Sequence, residues 1–176
     1  MSADAEPKFI QSANPALPAG CCVIMADVND LKRTNDTLGH HAGDELIIGA
    51  AKCLCRSFTE TDRIYRTGGD EFAVIIMDEG YDVDAALNRL QRFSADWKGN
   101  LIHGFSISAG AASAKEFDDI KTILKAADQR MYESKRNITR TAVKTDEENN
   151  IKADQGRLCG YIPGNCFARK PATYSL

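Results

Sequence analysis

Apolar residues fall in short blocks along this chain, and the spacing within each block predicts an element. Cys21 to Ala26 is a continuous apolar run closed by Asp27, the pattern of a strand buried on both faces. Asn29 to Asp36 is polar and predicts a short helix or turn, after which Gly39 and Gly43 punctuate a loop. Leu46, Ile47, Ala50, Leu54 and Phe58 recur at helical spacing, so a helix is expected from Gly43 or Asp44 through about Phe58. From Arg63 to Met77, two strand-like runs flank Gly68-Gly69 and predict a hairpin with a two-residue turn, both glycines at φ > 0. Val83 to Trp97 reads as a second helix with Leu87, Leu90 and Trp97 inward. Phe105 to Gly110 alternates like a half-buried strand, and Phe117, Ile120, Leu124, Ala127 and Met131 predict a third long helix ending near Lys135. This order describes an α+β sandwich with helices flanking a mostly antiparallel sheet. Residues 1–20 form an irregular leader, 21–140 the folded domain, and 141–176 a polar extension without an assigned role.

Composition narrows the classes. With 43% hydrophobic and 27% charged residues, the chain is globular and large enough to bury a core. A net charge of −3 argues against nucleic-acid or anionic-membrane partners, while leaving room for a local basic site that takes a phosphate. No stretch approaches the roughly 20 apolar residues of a membrane span, and no signal-peptide order opens the chain, so a cytoplasmic location is expected. The six cysteines lack paired zinc spacing and are expected as free thiols.

Candidate chemistry begins at the hairpin. Asp70 and Glu71 take the first two positions of the returning strand, where acids are poorly favoured, and alternation sends them to opposite faces. An inward acid calls for a cation or a proton donor; an acidic hairpin tip in water is the plain alternative. Asp27 and Asp70 can meet if their strands are neighbours, and two converging carboxylates invite a hard cation such as magnesium. A helix N-cap or turn acid is the plain reading of Asp27. An EF-hand loop is excluded because Lys32 stands at its glycine position.

Gly68-Gly69-Asp70-Glu71-Phe72 resembles the signature of the GGDEF family, the diguanylate cyclases. Asp27-Val28-Asn29-Asp30-Leu31-Lys32, with Asn35-Asp36, Gly39-His40, Gly43-Asp44 and Leu46, is similar to that family's other signature, at the right distance upstream. The resemblance covers roughly residues 21 to 137. It implies a ferredoxin-like fold shared with nucleotide cyclases. It also implies a reaction in which the 3′-hydroxyl of one GTP attacks the α-phosphate of another, twice, giving cyclic di-GMP and two pyrophosphates.

Carried over by position, the resemblance makes Asp27, Asp70, Glu71 and the Val28 carbonyl the ligands of Mg2+, with Mn2+ as an alternative. Asp70, Glu71 and Lys32 become the catalytic set. Asn35 and Asp44 match the guanine-reading pair, which alone would be a turn residue and a helix N-cap. Gly68, Gly69, Arg66 and Lys135 border the phosphates; taken singly, the cations would be solvated surface charges. Activity is expected from a homodimer, each copy holding one GTP, with a sensor domain upstream that nothing in this sequence resembles.

The sequence departs from the family in four places. The usual Asp-x-Leu-Thr-Gly-Leu-x-Asn-Arg opening is absent, Leu31 replaces a Phe, and Thr139 stands where an Arg is usual, with Arg140 one place off. Thr59-Glu60-Thr61-Asp62 occupies the Arg-x-x-Asp product-inhibition site without its arginine, so high-affinity feedback there is not expected. A catalytically silent GTP-binding or dimerisation module is the alternative function.

Overall fold

In the computed structural model, residues 17–18 and 20–158 are described, with side chains through 140. Four strands form one antiparallel sheet: β1 (Cys22–Val28), β2 (Arg63–Arg66), β3 (Glu71–Ile76) and β4 (Ile107–Ser113). Their spatial order is β2-β3-β1-β4. The apolar run of β1 is central, paired to β3 on one side and β4 on the other. That position explains its lack of alternation: both faces are covered, so neither can be polar.

The helices are α1 (Leu31–Leu38), α2 (His40–Ser57), α3 (Val83–Ala95) and α4 (Ile120–Leu158). One face of the sheet, through Cys22, Ile24, Ala26, Val28, Phe72, Val74 and Ile76, packs with Leu46, Ala50 and Leu54 of α2 and Leu90 of α3. The other face sets Val23 and Ala112 against Ile123 and Ala127 of α4. Asp82 caps α3 by accepting from the Ala85 N–H at 2.9 Å, and Asp119 accepts from the Thr122 N–H at 3.0 Å at the start of α4. Residues 1–138 form one compact unit and 139–176 a second.

Several local expectations shift. α2 begins at His40 rather than Gly43 or Asp44, because Gly39, at φ +84°, serves as both C-cap of α1 and N-cap of α2. Asp44 therefore lies inside the helix and caps nothing. α3 stops at Ala95, before Trp97, and β4 starts later and runs to Ser113. α4 passes Lys135 and continues to Leu158, so the first half of the C-terminal extension is helical.

The hairpin turn is also different. Four residues, Thr67 to Asp70, separate β2 from β3, and among the described glycines only Gly39 and Gly104 take a positive φ. The Thr67 N–H donates to the Glu71 carbonyl at 3.0 Å, closing a loop wide enough to turn without left-handed residues. Asp70 belongs to this loop, and the strand begins at Glu71. Cys21, Cys22, Cys53 and Cys55 are free thiols, the first three buried, and burial pushes the Cys22 thiol up to about 11. Cys159 and Cys166 lie outside the described residues.

Candidate active site

The site forms where the carboxyl end of β1 meets the hairpin loop and the start of α1. Asp27 is only 6% exposed. Its register partners are Glu71 on β3 and Ser108 on β4, so three strands fix its place. One residue on, the Val28 N–H donates to the Asp70 carbonyl at 2.9 Å and ties the hairpin loop to the strand end. The chain then turns sharply at Asp30, whose φ of 63° is the left-handed conformation that Asp tolerates better than most residues.

Asn29 makes that turn reproducible. Its amide nitrogen donates to Ser106 Oγ at 2.9 Å, and its amide oxygen accepts from Ser108 Oγ at 2.9 Å. Its backbone N–H adds a bond to the Ser106 carbonyl at 3.1 Å. A buried amide satisfied on both ends holds its segment firmly, because breaking either bond would leave a desolvated polar atom. Nothing in the sequence singled out this role; a polar residue directly after a buried strand was the available signal.

A buried carboxylate must find compensating charge. Lys135 supplies it from α4, its Nζ lying 2.8 Å from Oδ1 and 2.9 Å from Oδ2 of Asp27. Lys135 and Asp70 both line an open cleft of about 560 Å³, with Asp30, Leu31, Lys32, Arg33, Asp36 and Thr37 from α1 and its N-cap. Three acids and three cations thus share its lining. Sequence reading anticipated Asp70, Lys32 and Lys135 here and passed over Arg33 and Asp36.

The remaining candidates occupy two flanks. Asn35 is half-buried on α1 and rests against α2 at Gly43, where a Cβ would land on its amide oxygen. The next residue is Asp44, exposed on α2. Among the described residues, neither the Asn35 amide nor the Asp44 carboxylate has a side-chain hydrogen bond. These two sit at the α1–α2 junction and are not lining residues of the cleft. On the hairpin side, Arg66 folds back, its Nη2 donating to the Gly69 carbonyl at 2.6 Å and its Nε to the Gly68 carbonyl at 3.1 Å. A side chain at Gly68 would come within 2.9 Å of the Glu71 carboxylate, whereas nothing lies within 4 Å of the Cβ that Gly69 lacks.

Hard oxygen donors suit a magnesium-like ion, and this donor set fits one. Asp27 already holds a cation in both oxygens, and Glu71 and Asp70 adjoin it through strand register and a backbone bond. Among the described residues no three His, Cys, Asp or Glu side chains close into a cage. Magnesium commonly takes one or two carboxylates and completes its shell with water and phosphate oxygens.

Away from the cleft, Asp62 is buried and its Oδ2 accepts from the Thr59 N–H at 2.7 Å and from Thr59 Oγ1 at 2.9 Å. Its carboxylate is engaged by its own turn.

Fold and site together define an α+β domain of the nucleotide-cyclase type, with a cleft of mixed charge near the end of a central antiparallel strand. The family model described as diguanylate cyclase, GGDEF domain, matches residues 10–141, and the chain belongs to that family. It is 33% identical to the probable diguanylate cyclase DgcJ of Escherichia coli over 74% of this chain and 25% of that protein. Diguanylate cyclase A of Treponema denticola is 32% identical over 74% of this chain and 36% of its own length. The chain therefore spans well under half of these relatives. Among solved structures, the GGDEF domain of YfiN (TpbB) from Pseudomonas aeruginosa superposes with a TM-score of 0.61 at 29% identity, over 66% of this chain and 76% of that one. The GGDEF domain of DgcB from Caulobacter crescentus, solved in complex with c-di-GMP, gives 0.60 at 26% identity, over 66% and 72%.

Proposed function

We propose that this chain condenses two GTP into cyclic di-GMP, releasing two pyrophosphates, as a homodimer in the cytoplasm that uses Mg2+ or Mn2+. The observation that carries the reading is Asp27: a buried carboxylate, already neutralised by a cation, beside a cleft that combines Asp70 with Lys32, Arg33 and Lys135. A nucleoside triphosphate asks for that opposition, hard-metal oxygens at one end and ammonium and guanidinium groups along the phosphates.

Asp27, Asp70 and Glu71, with the Val28 carbonyl, would hold the metal. When bound, a divalent ion lowers the pKa of the attacking hydroxyl and offsets charge on the phosphoryl group being displaced. Glu71 assists removal of the 3′-hydroxyl proton, and Lys32 neutralises the pyrophosphate as its bond to the α-phosphorus breaks. Each new 3′-O–P bond costs one such bond, and two rounds close the ring. At the α1–α2 junction, Asp44 accepts from the guanine N1–H and N2 amino group and the Asn35 amide donates to the base. Their lack of side-chain hydrogen-bond partners among the described residues supports this role. Gly68 and Gly69 let the hairpin backbone approach the phosphates, with Arg66 stiffening that loop and Lys135 adding charge.

The test is an assay of the purified chain with GTP and magnesium, following cyclic di-GMP and pyrophosphate together beside Asp70→Ala. Two pyrophosphates per cyclic product, absent in the variant, is the expected outcome. GTP binding without either product would overturn the reading in favour of a silent nucleotide-binding module.

A further inference from the structure

Lys135 and a divalent ion compete for the same two oxygens. The ammonium sits almost symmetrically on Asp27, 2.8 and 2.9 Å from its two carboxylate oxygens, in the place a cation chelated by that carboxylate would take. The pair is unequal in exposure: the Asp27 side chain is 8% exposed and that of Lys135 41%. Asp27 therefore cannot do without a cation, whereas Lys135 can leave into a cleft it already lines. Asp70, Lys32 and Arg33 line the same cleft, so an anion bound there has a use for the departing charge.

We infer that Lys135 is a resident stand-in for the metal, holding Asp27 until a divalent ion displaces it and moving then to the anionic ligand that arrives with that ion. The inference rests on the reading of Asp27 as a metal ligand, and goes further by making metal binding an exchange. Its consequence is order. Without nucleotide, a divalent ion must evict an ammonium with no phosphate there to receive it, so affinity is low. With a triphosphate present the ammonium gains phosphate oxygens as it leaves, so the two ligands favour each other by linkage.

The probe is Mn2+ alone, titrated onto the nucleotide-free chain and followed by electron paramagnetic resonance and calorimetry. Lys135→Met keeps the stem and removes the charge; it should bind Mn2+ about tenfold tighter than the wild type, the scale expected when one close charge competitor is deleted. Lys135→Arg, which keeps the competitor, should stay near the wild type. Adding Asp27→Asn to Lys135→Met should erase the gain, locating it at this carboxylate. Mn2+ should also raise the melting temperature of Lys135→Met more than that of the wild type. Should the methionine variant fail to fold, Lys135→Gln, which can still donate to Asp27, is expected to shift in the same direction. Unchanged or weaker Mn2+ binding in a folded, uncharged variant would overturn the exchange. Tighter Mn2+ binding in a chain that makes no cyclic di-GMP would uphold the exchange and sink the cyclase reading; the converse result would do the reverse.

Discussion

Glu45 shows how one half-buried carboxylate organises a stretch of chain that has almost no regular structure. From α2 it reaches the segment after α3, where Oε1 accepts from the Leu101 and Ile102 N–H groups, each at 3.1 Å. Gly99 makes room, since a Cβ there would overlap the carboxylate. The Ile102 N–H, with help from that of Leu101, holds the Glu45 carboxyl below its ordinary value of 4.5. A carboxyl depressed in the folded state contributes stability above its unfolded pKa and loses it as pH falls through the folded value. The Leu101 and Ile102 amide proton shifts should therefore titrate together with a midpoint below 4.5, and Glu45→Gln should remove the titration from both. A midpoint at or above 4.5 would count against this bond as the cause. Such a residue was invisible in the sequence, because its partners are backbone amides 56 and 57 positions away. Asp27, Asp70 and Asn35 were legible for the opposite reason: they stand in motifs whose spacing is itself the signal. Geometry corrected even these, moving Asp70 off the strand and denying Gly68 and Gly69 their left-handed turn.

Between elements, the decisive contact is β4 against α4. Gly110 and Ala112, on the face toward α4, give the strand almost no side-chain thickness there, so the helix backbone lies directly on it. A Cβ at Gly110 would fall on backbone atoms of Ala127, Arg130 and Met131. Arg130 fastens the same junction, donating to the Ala111 carbonyl and pairing with Glu116, whose carboxyl it holds low. Backbone cannot rotate aside as a side chain can, so Gly110→Ala should cost about 1–3 kcal/mol in urea unfolding, the range for overpacking. It should also weaken GTP binding, because α4 carries Lys135. A variant as stable as the wild type would show that the helix slides freely on the strand. The small-residue strand was readable from its alternation, but not the reason for its smallness, which lies in a helix met ten or more residues later. Helix boundaries failed for a local reason: Gly39 is a one-residue joint, and the apolar stripe of α2 only begins a turn and a half after the helix does.

At the scale of the whole molecule, each copy brings one Asp27, one hairpin loop and one cleft, all drawn together by the strand order β2-β3-β1-β4. That order could not be read from periodicity, since nothing in a local pattern says that the first strand will lie between the third and the fourth. Yet it is what makes Asp27 and Glu71 register partners, and so what makes one site out of two motifs. If each site holds one triphosphate, as proposed, a ring of two nucleotides needs two 3′-hydroxyls each facing the other's α-phosphate. On the proposed reading, a lone chain binds substrate but has nothing to attack it with. Product formation should then rise with the square of protein concentration while the dimer is scarce, becoming linear once it is saturated, and GTP bound per chain should stay constant across the same range. Light scattering at each concentration ties the change in order to the appearance of dimer. A rate strictly proportional to protein, down to concentrations where only monomer scatters, would mean that one chain completes both attacks, and the two-half-site account would have to be abandoned.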